Sequence, residues 1–151
     1  MKKTVVMIHG MASGQWAWDN YRRVLETAGY TCIAVTLPYH NTDPSAAAEP
    51  KLGTASLLDY AAAVEQQIRA LPEKPIIIGH SMGGLIAQML ASRDLAQAAI
   101  LITPAPPAGI LALTPSVLKT FSPIIGRWNF WKKSFRFPQH TAQYAILNRL
   151  S

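Results

Sequence analysis

The stretch Pro75-Ile76-Ile77-Ile78-Gly79-His80-Ser81-Met82-Gly83-Gly84, or PIIIGHSMGG, decides how this sequence folds. Three consecutive β-branched residues signal a short strand, and the apolar, glycine-free run from Leu85 signals a buried helix. Between them a Gly-x-Ser-x-Gly turn must convert one into the other within a few residues. Gly79 and Gly83 lack Cβ, so strand and helix can approach closely around a strained serine. Such a turn lifts Ser81 above the carboxyl end of its strand with the hydroxyl in the open. The Met82 N–H, at the start of the helix, points toward the same space, where the helix dipole favours an anion.

Outward from this turn, strands and helices alternate. Residues 3–8 and 30–37 are β-branched and short, so strands, the second closed by Pro38. Between them, 19–28 carries Tyr21, Val24, Leu25 and Ala28 at helical spacing and stops at Gly29. Residues 41–53 are rich in proline, alanine and polar side chains and read as a loop. The stretch 54–71 sets Leu57, Leu58, Ala61, Val64, Ile68 and Leu71 on one helical face and ends at Pro72. Residues 75–79 form the third strand, 82–92 the next helix and 98–103 the fourth strand. This alternation predicts right-handed βαβ units and a parallel sheet, an α/β three-layer sandwich. The third and fourth strands are continuous apolar runs, which predicts cover on both faces. After Thr103 the grammar changes. Pro104, Pro106, Pro107 and Gly109 break the pattern, and short helices are expected at 111–121 and 141–150. A boundary near residue 108 separates an α/β core, 1–108, from a segment at 109–151.

A second constellation follows the first strand: His9-Gly10-Met11. In a parallel sheet this loop lies at the same end as the serine turn, and the Met11 N–H can join that of Met82 in holding an oxyanion. His9 reads as a residue that orients the loop, and His80, expected to point away from Ser81, as structural too.

The chain resembles the N-terminal portion of an α/β-hydrolase-fold protein. The likeness runs from VVMIHGMASGQWAWDNYRRVLETAGYTCIAVTLPYH through IIIGHSMGGLIAQMLA to AAILITPAPP, with Trp16 and Trp18 resembling the lipase and esterase branch. It implies Ser81 as nucleophile, Met11 and Met82 as oxyanion donors, His9, Gly10, Gly79, His80 and Gly83 as supporting residues, and 109–151 as a cap over an acyl pocket. It implies carboxylic ester hydrolysis of a small-molecule ester, with no metal or organic cofactor. In that family the chain order is serine, then acid, then histidine. Here the only acid after Ser81 is Asp94, about twelve residues of helix or roughly 18 Å away. The only later histidine is His140, in the cap segment. The expectation is therefore a core truncated after the strand that follows the nucleophile helix, and weak or inactive as this chain alone unless His140, His40 or another subunit supplies the base. The alternative is a non-catalytic fragment that forms a homodimer, or pairs with a complementing chain, through the exposed edge of its sheet.

Composition fits one globular domain: of 151 residues, 50% are hydrophobic and 15% charged. No apolar run approaches the roughly 18 residues of a membrane span. A single cysteine, Cys32, leaves no internal disulfide, and a cytoplasmic location is expected. The net charge of +6 is lopsided, because 95–151 holds six basic residues and no acid. Trp128, Phe130, Trp131, Phe135 and Phe137 interleave with these cations. They read as a cap closing over the pocket rather than as a membrane-surface segment, and nothing suggests nucleic-acid recognition.

Overall fold

The computed structural model describes residues 3–40, 49–112, 114–126 and 128–129. Four strands, β1 (Thr4–Ile8), β2 (Thr31–Val35), β3 (Ile76–His80) and β4 (Ala98–Ile102), form one sheet in the order β2-β1-β3-β4. Every pairing is parallel. Helices α1 (Asp19–Thr27), α2 (Leu57–Arg69), α3 (Met82–Ser92) and α4 (Pro115–Ile125) connect or follow the strands.

Strand residues alternate between two cores, as the pleat requires. Val6, Ile8 and Ile77 face one side and bury Tyr60, Ala61, Val64 and Ile68 of α2 with Ile86, Ala87 and Leu90 of α3. Val5, Met7 and Ile78 face the other and pack on Trp18, with Leu25 of α1 half-buried beside them. Each fully buried aliphatic side chain contributes about 1.5–3 kcal/mol. The two clusters make the sheet the middle of three layers, the α/β architecture expected from the sequence.

Helix α2 begins where Ser56 and Asp59 cap each other. The Asp59 N–H donates to Ser56 Oγ at 3.2 Å, and the Ser56 N–H donates to Asp59 Oδ2 at 2.8 Å. Such a reciprocal cap holds two backbone donors that the helix cannot satisfy, for about 1 kcal/mol. Glu65 then joins α2 to the end of α3, meeting Arg69 at 2.6 Å and Arg93 at 2.7 Å.

Some expectations need correction. β4 is not covered on both faces: it is an edge strand among the described residues, with Ile100 49% and Leu101 39% exposed. A run of apolar residues reports what a strand can bury, not whether a neighbour buries it. Tyr21 and Val24 of α1 also stay exposed, because Trp18 and Leu25 take the contacts with the sheet. A 3-10 turn at Gln15–Trp18, which delivers Trp18 to the core, precedes that helix, and another at Pro50–Gly53 falls in the stretch read as loop. The helix expected at 111–121 runs instead from Pro115, where Thr114 Oγ1 accepts from the Val117 N–H at 3.3 Å. The helix expected at 141–150, and most of the aromatic-basic segment, lie outside the described residues. No helix among the described residues is long and apolar enough to cross a membrane.

Candidate active site

β1 and β3 are the two central strands, with Ile8 opposite Gly79 in register. The loops that leave their carboxyl ends must therefore run side by side. That placement brings His9-Gly10 against His80-Ser81. A Cβ added to Gly10 would lie 3.0 Å from Ser81 Cβ and 3.2 Å from His80 Nδ1.

Ser81 itself carries φ +53° and ψ −118°, a conformation that costs a non-glycine residue about 1–3 kcal/mol. Four backbone hydrogen bonds impose it. The Ser81 N–H donates to Ile102 O of β4 at 3.1 Å, while Ser81 O accepts from Gly84, Leu85 and Ala105 at 3.0, 3.2 and 2.8 Å. Neighbouring glycines make room for the turn. A Cβ at Gly79 would strike the Gly83 carbonyl and lie 2.7 Å from Gly84 Cα. One at Gly83 would strike the Ile8 carbonyl oxygen and lie 2.6 Å from that of His9. The first turn of α3 thus presses directly onto the end of β1.

The Ser81 side chain caps no helical N–H and is half-buried at the mouth of the turn. Met82 is the first residue of α3, so its N–H has no acceptor within the helix. Met11 follows Gly10 in the facing loop and is 44% exposed. A hydroxyl at a strained vertex, beside a helix N-terminus and a glycine loop, is an arrangement that can present a nucleophile to an electrophilic carbon and donors to the negative charge that then develops.

His9 is buried at 1% exposure and bonded at both ring nitrogens: Nδ1 to Gly10 O at 2.8 Å, and Nε2 to the Leu37 N–H at 3.2 Å. Burial lowers its pKa to about 4, helped by the neighbouring His40 and opposed by the bond to the Gly10 carbonyl. His40 stacks edge-to-face between His9, 5.0 Å away, and Tyr60, 5.4 Å away. Its Nδ1 lies 3.1 Å from Pro38 O, and its buried Nε2 has no hydrogen-bond partner. Burial lowers its pKa too, against the bond to Pro38. His80 is exposed at the end of β3, with its Nδ1 beside the Gly10 loop.

No imidazole among the described residues is hydrogen-bonded to Ser81. Asp94 sits past the far end of α3, where its carboxylate pairs with Lys74 at 2.5 Å. His140 lies outside the described residues. No three or more His, Cys, Asp or Glu side chains among the described residues converge as metal ligands would.

Sequence reading missed two parts of this site. Leu37 donates to a histidine 28 positions earlier, a contact that no local pattern announces. Pro104 and Ala105 brace the turn from the far side, Ala105 through its N–H and Pro104 by packing where a Gly84 Cβ would come within 2.9 Å. The proline cluster after β4 was the available signal, and it read only as a breaker.

Comparison with known proteins bears on the family and the fold. A model of the alpha/beta hydrolase family matches residues 5–148. Salicylic acid-binding protein 2 of Nicotiana tabacum is 33% identical over 85 residues, covering 55% of this chain and 31% of that protein. Methylesterase 7 of Arabidopsis thaliana is 30% identical over 93 residues, covering 60% of this chain and 34% of that protein. In fold, the chain is similar to an extracellular α/β-hydrolase from a Paenibacillus species, with a TM-score of 0.64 at 22% identity over 81% of this chain and 50% of that one. It thus spans about a third of the length of these curated relatives and half of that solved structure. With residues 5–148 of 151 matched by the family model and the parallel sheet and glycine turn in place, this chain belongs to the alpha/beta hydrolase family.

Proposed function

We propose that the chain carries the nucleophile and oxyanion site of a serine-dependent carboxylic ester hydrolase. The observation that carries this reading is the Ser81 backbone, held at positive φ by four hydrogen bonds and placed against the Gly10 loop. Ser81 Oγ attacks the ester carbonyl carbon and gives its proton to a base. The carbonyl oxygen becomes an oxyanion held by the Met11 and Met82 N–H groups. Collapse expels the alcohol and leaves an acyl-serine, which water hydrolyses to the acid. The similarity to methylesterases makes methyl esters the first substrates to test. Base and acid come, in this reading, from outside the described residues. Without them such a site retains about 10³–10⁴-fold catalysis over water.

A fluorophosphonate probe tests the reading: it labels Ser81, faster when imidazole is added as an external base, and the Ser81→Ala chain stays unlabelled. A wild-type chain that resists labelling with imidazole present refutes it. A second reading, pairing with another chain, rests on the exposed Ile100 and Leu101 of the β4 edge.

A further inference from the structure

The hydrogen-bond ladder between β3 and β4 slips by one residue at Ser81. In a parallel pair, a bonded residue donates to the carbonyl one place before its partner and accepts from the N–H one place after it. His80 lies opposite Ile102, so Ser81 continues the register opposite Thr103. Its N–H donates to Ile102 O at 3.1 Å, as that register requires. Its carbonyl should then accept from residue 104, but that residue is proline and has no N–H. The bond comes instead from Ala105, at 2.8 Å. Thr103 and Pro104 thus fill the place of one residue, which makes a β-bulge. The extra length is taken up at Thr103, whose φ of +41° is an outlier for a β-branched residue. Ser81, facing it across the same two bonds, also stands at positive φ.

We propose that Pro104 is a positioning residue for Ser81: by withholding an N–H it forces the ladder to slip, and the slipped bond from Ala105 holds the Ser81 carbonyl in the orientation that starts α3. The proposal rests on the reading of Ser81 as nucleophile, yet the slip itself is measured without any reaction. Bracing by bulk alone would not require a proline here. The Pro104 atoms that crowd Gly84 are its Cβ and Cα, 2.9 and 3.0 Å from where a Gly84 Cβ would lie, and alanine keeps both. What alanine adds is the missing donor, free of the ring.

Pro104→Ala therefore tests the donor rather than the packing. Three quantities are measured in the full chain: amide hydrogen exchange at positions 104 and 105, the intraresidue HN–Hα nuclear Overhauser effect of Thr103, which is strongest at positive φ, and the rate of fluorophosphonate labelling at Ser81 with imidazole added. The wild type should show a protected Ala105 amide and a strong Thr103 effect. Pro104→Ala should move protection from 105 to 104, weaken the Thr103 effect, and slow labelling by about 10²-fold, the loss that a misplacement of about 1 Å carries. Pro106→Ala, at an exposed position of the same proline cluster, should change none of the three. An unprotected Ala105 amide or a weak Thr103 effect in the wild type overturns the proposal. So does a Pro104→Ala chain that keeps its Ala105 protection, or one whose protection moves while labelling stays the same. An equal loss in Pro106→Ala overturns it too, since stiffness of the loop would then suffice. If Pro104→Ala does not fold, exchange and the Thr103 effect in the wild type decide alone. Failure of the nucleophile reading shows separately, as an unlabelled wild type whose exchange pattern still reports on the slip.

Discussion

Gly83→Ala sets two effects of opposite sign against each other. Position 83 lies within α3, and replacing glycine by alanine in a helix ordinarily gains about 1 kcal/mol. Here the added methyl would strike the Ile8 carbonyl oxygen and lie 2.6 Å from that of His9, where ordinary contact begins at 3.4 Å. Both oxygens belong to backbone at the end of a central strand, so neither can swing aside as a side-chain tip would. The helix must retreat from β1 by more than 1 Å, loosening contacts where Ile86, Ala87 and Leu90 are wholly buried. Overpacking of this kind costs about 1–3 kcal/mol and occasionally more. With the packing loss added, the clash outweighs the propensity gain, and we expect a net destabilisation of about 2 kcal/mol. That corresponds to a fall of about 4–8 °C in Tm for a chain of this size. Urea denaturation followed by far-UV circular dichroism measures the change, and Ser81 labelling should drop about 10²-fold in the protein that remains folded. Gly29→Ala is the control. Its φ of +92° also resists a side chain, but nothing lies within 4 Å, so it should lose stability while labelling stays intact. A Gly83→Ala chain as stable as the wild type would show that α3 does not press on β1, and the derivation of the site would fall with it.

Three other outcomes follow from the same structure. Ser81→Gly should raise stability by about 1 kcal/mol while abolishing labelling, because it relieves a φ of +53° at the entropic cost of one glycine; a loss of stability would mean that the turn is unstrained. Acid should weaken the fold through His9. With a folded pKa of about 4 against an ordinary 6.5, the unfolded chain takes up the proton first as pH falls. The contribution is therefore complete above pH 6.5 and lost toward pH 4, about 3 kcal/mol in all, with His40 acting in the same direction. A urea midpoint unchanged between pH 7 and pH 4.5 would refute this. If β4 pairs with another chain, the wild type should sediment as more than a monomer at micromolar concentration and Ile100→Lys as a monomer, with stability changed by no more than about 0.5 kcal/mol; a wild-type monomer removes the pairing.

Much of the fold was legible because glycine and proline punctuate it. Helix α3 falls at Met82–Ser92, the span read from the sequence, since the turn before it admits little else. Ser81, Gly79 and Gly83 were legible for the same reason: their roles depend on neighbours close in sequence. What stayed hidden depends on partners far apart. The place of β4 at an exposed sheet edge was among the expectations, but how bare its faces are depends on what packs over them, and Ala98–Ile102 reads the same covered or bare. The bond from Leu37 to His9 closes a loop of 28 positions, and hydrophobic periodicity carries no trace of it. The departure of Tyr21 and Val24 from the core follows from Trp18, whose arrival through a 3-10 turn has no strong sequence signal.

The strand order also bears on how the polypeptide is made. Of the four described strands β1 leaves the ribosome first, yet it ends between two others, and its inner partner pairs Val5 with Ile76, 71 positions later. At about 5–20 residues per second, synthesis leaves that oily ribbon half-clothed for about 4–14 seconds. Nascent-chain chaperones that grip short aliphatic segments should find Val5–Ile8 during that interval and release it once β3 and α3 emerge.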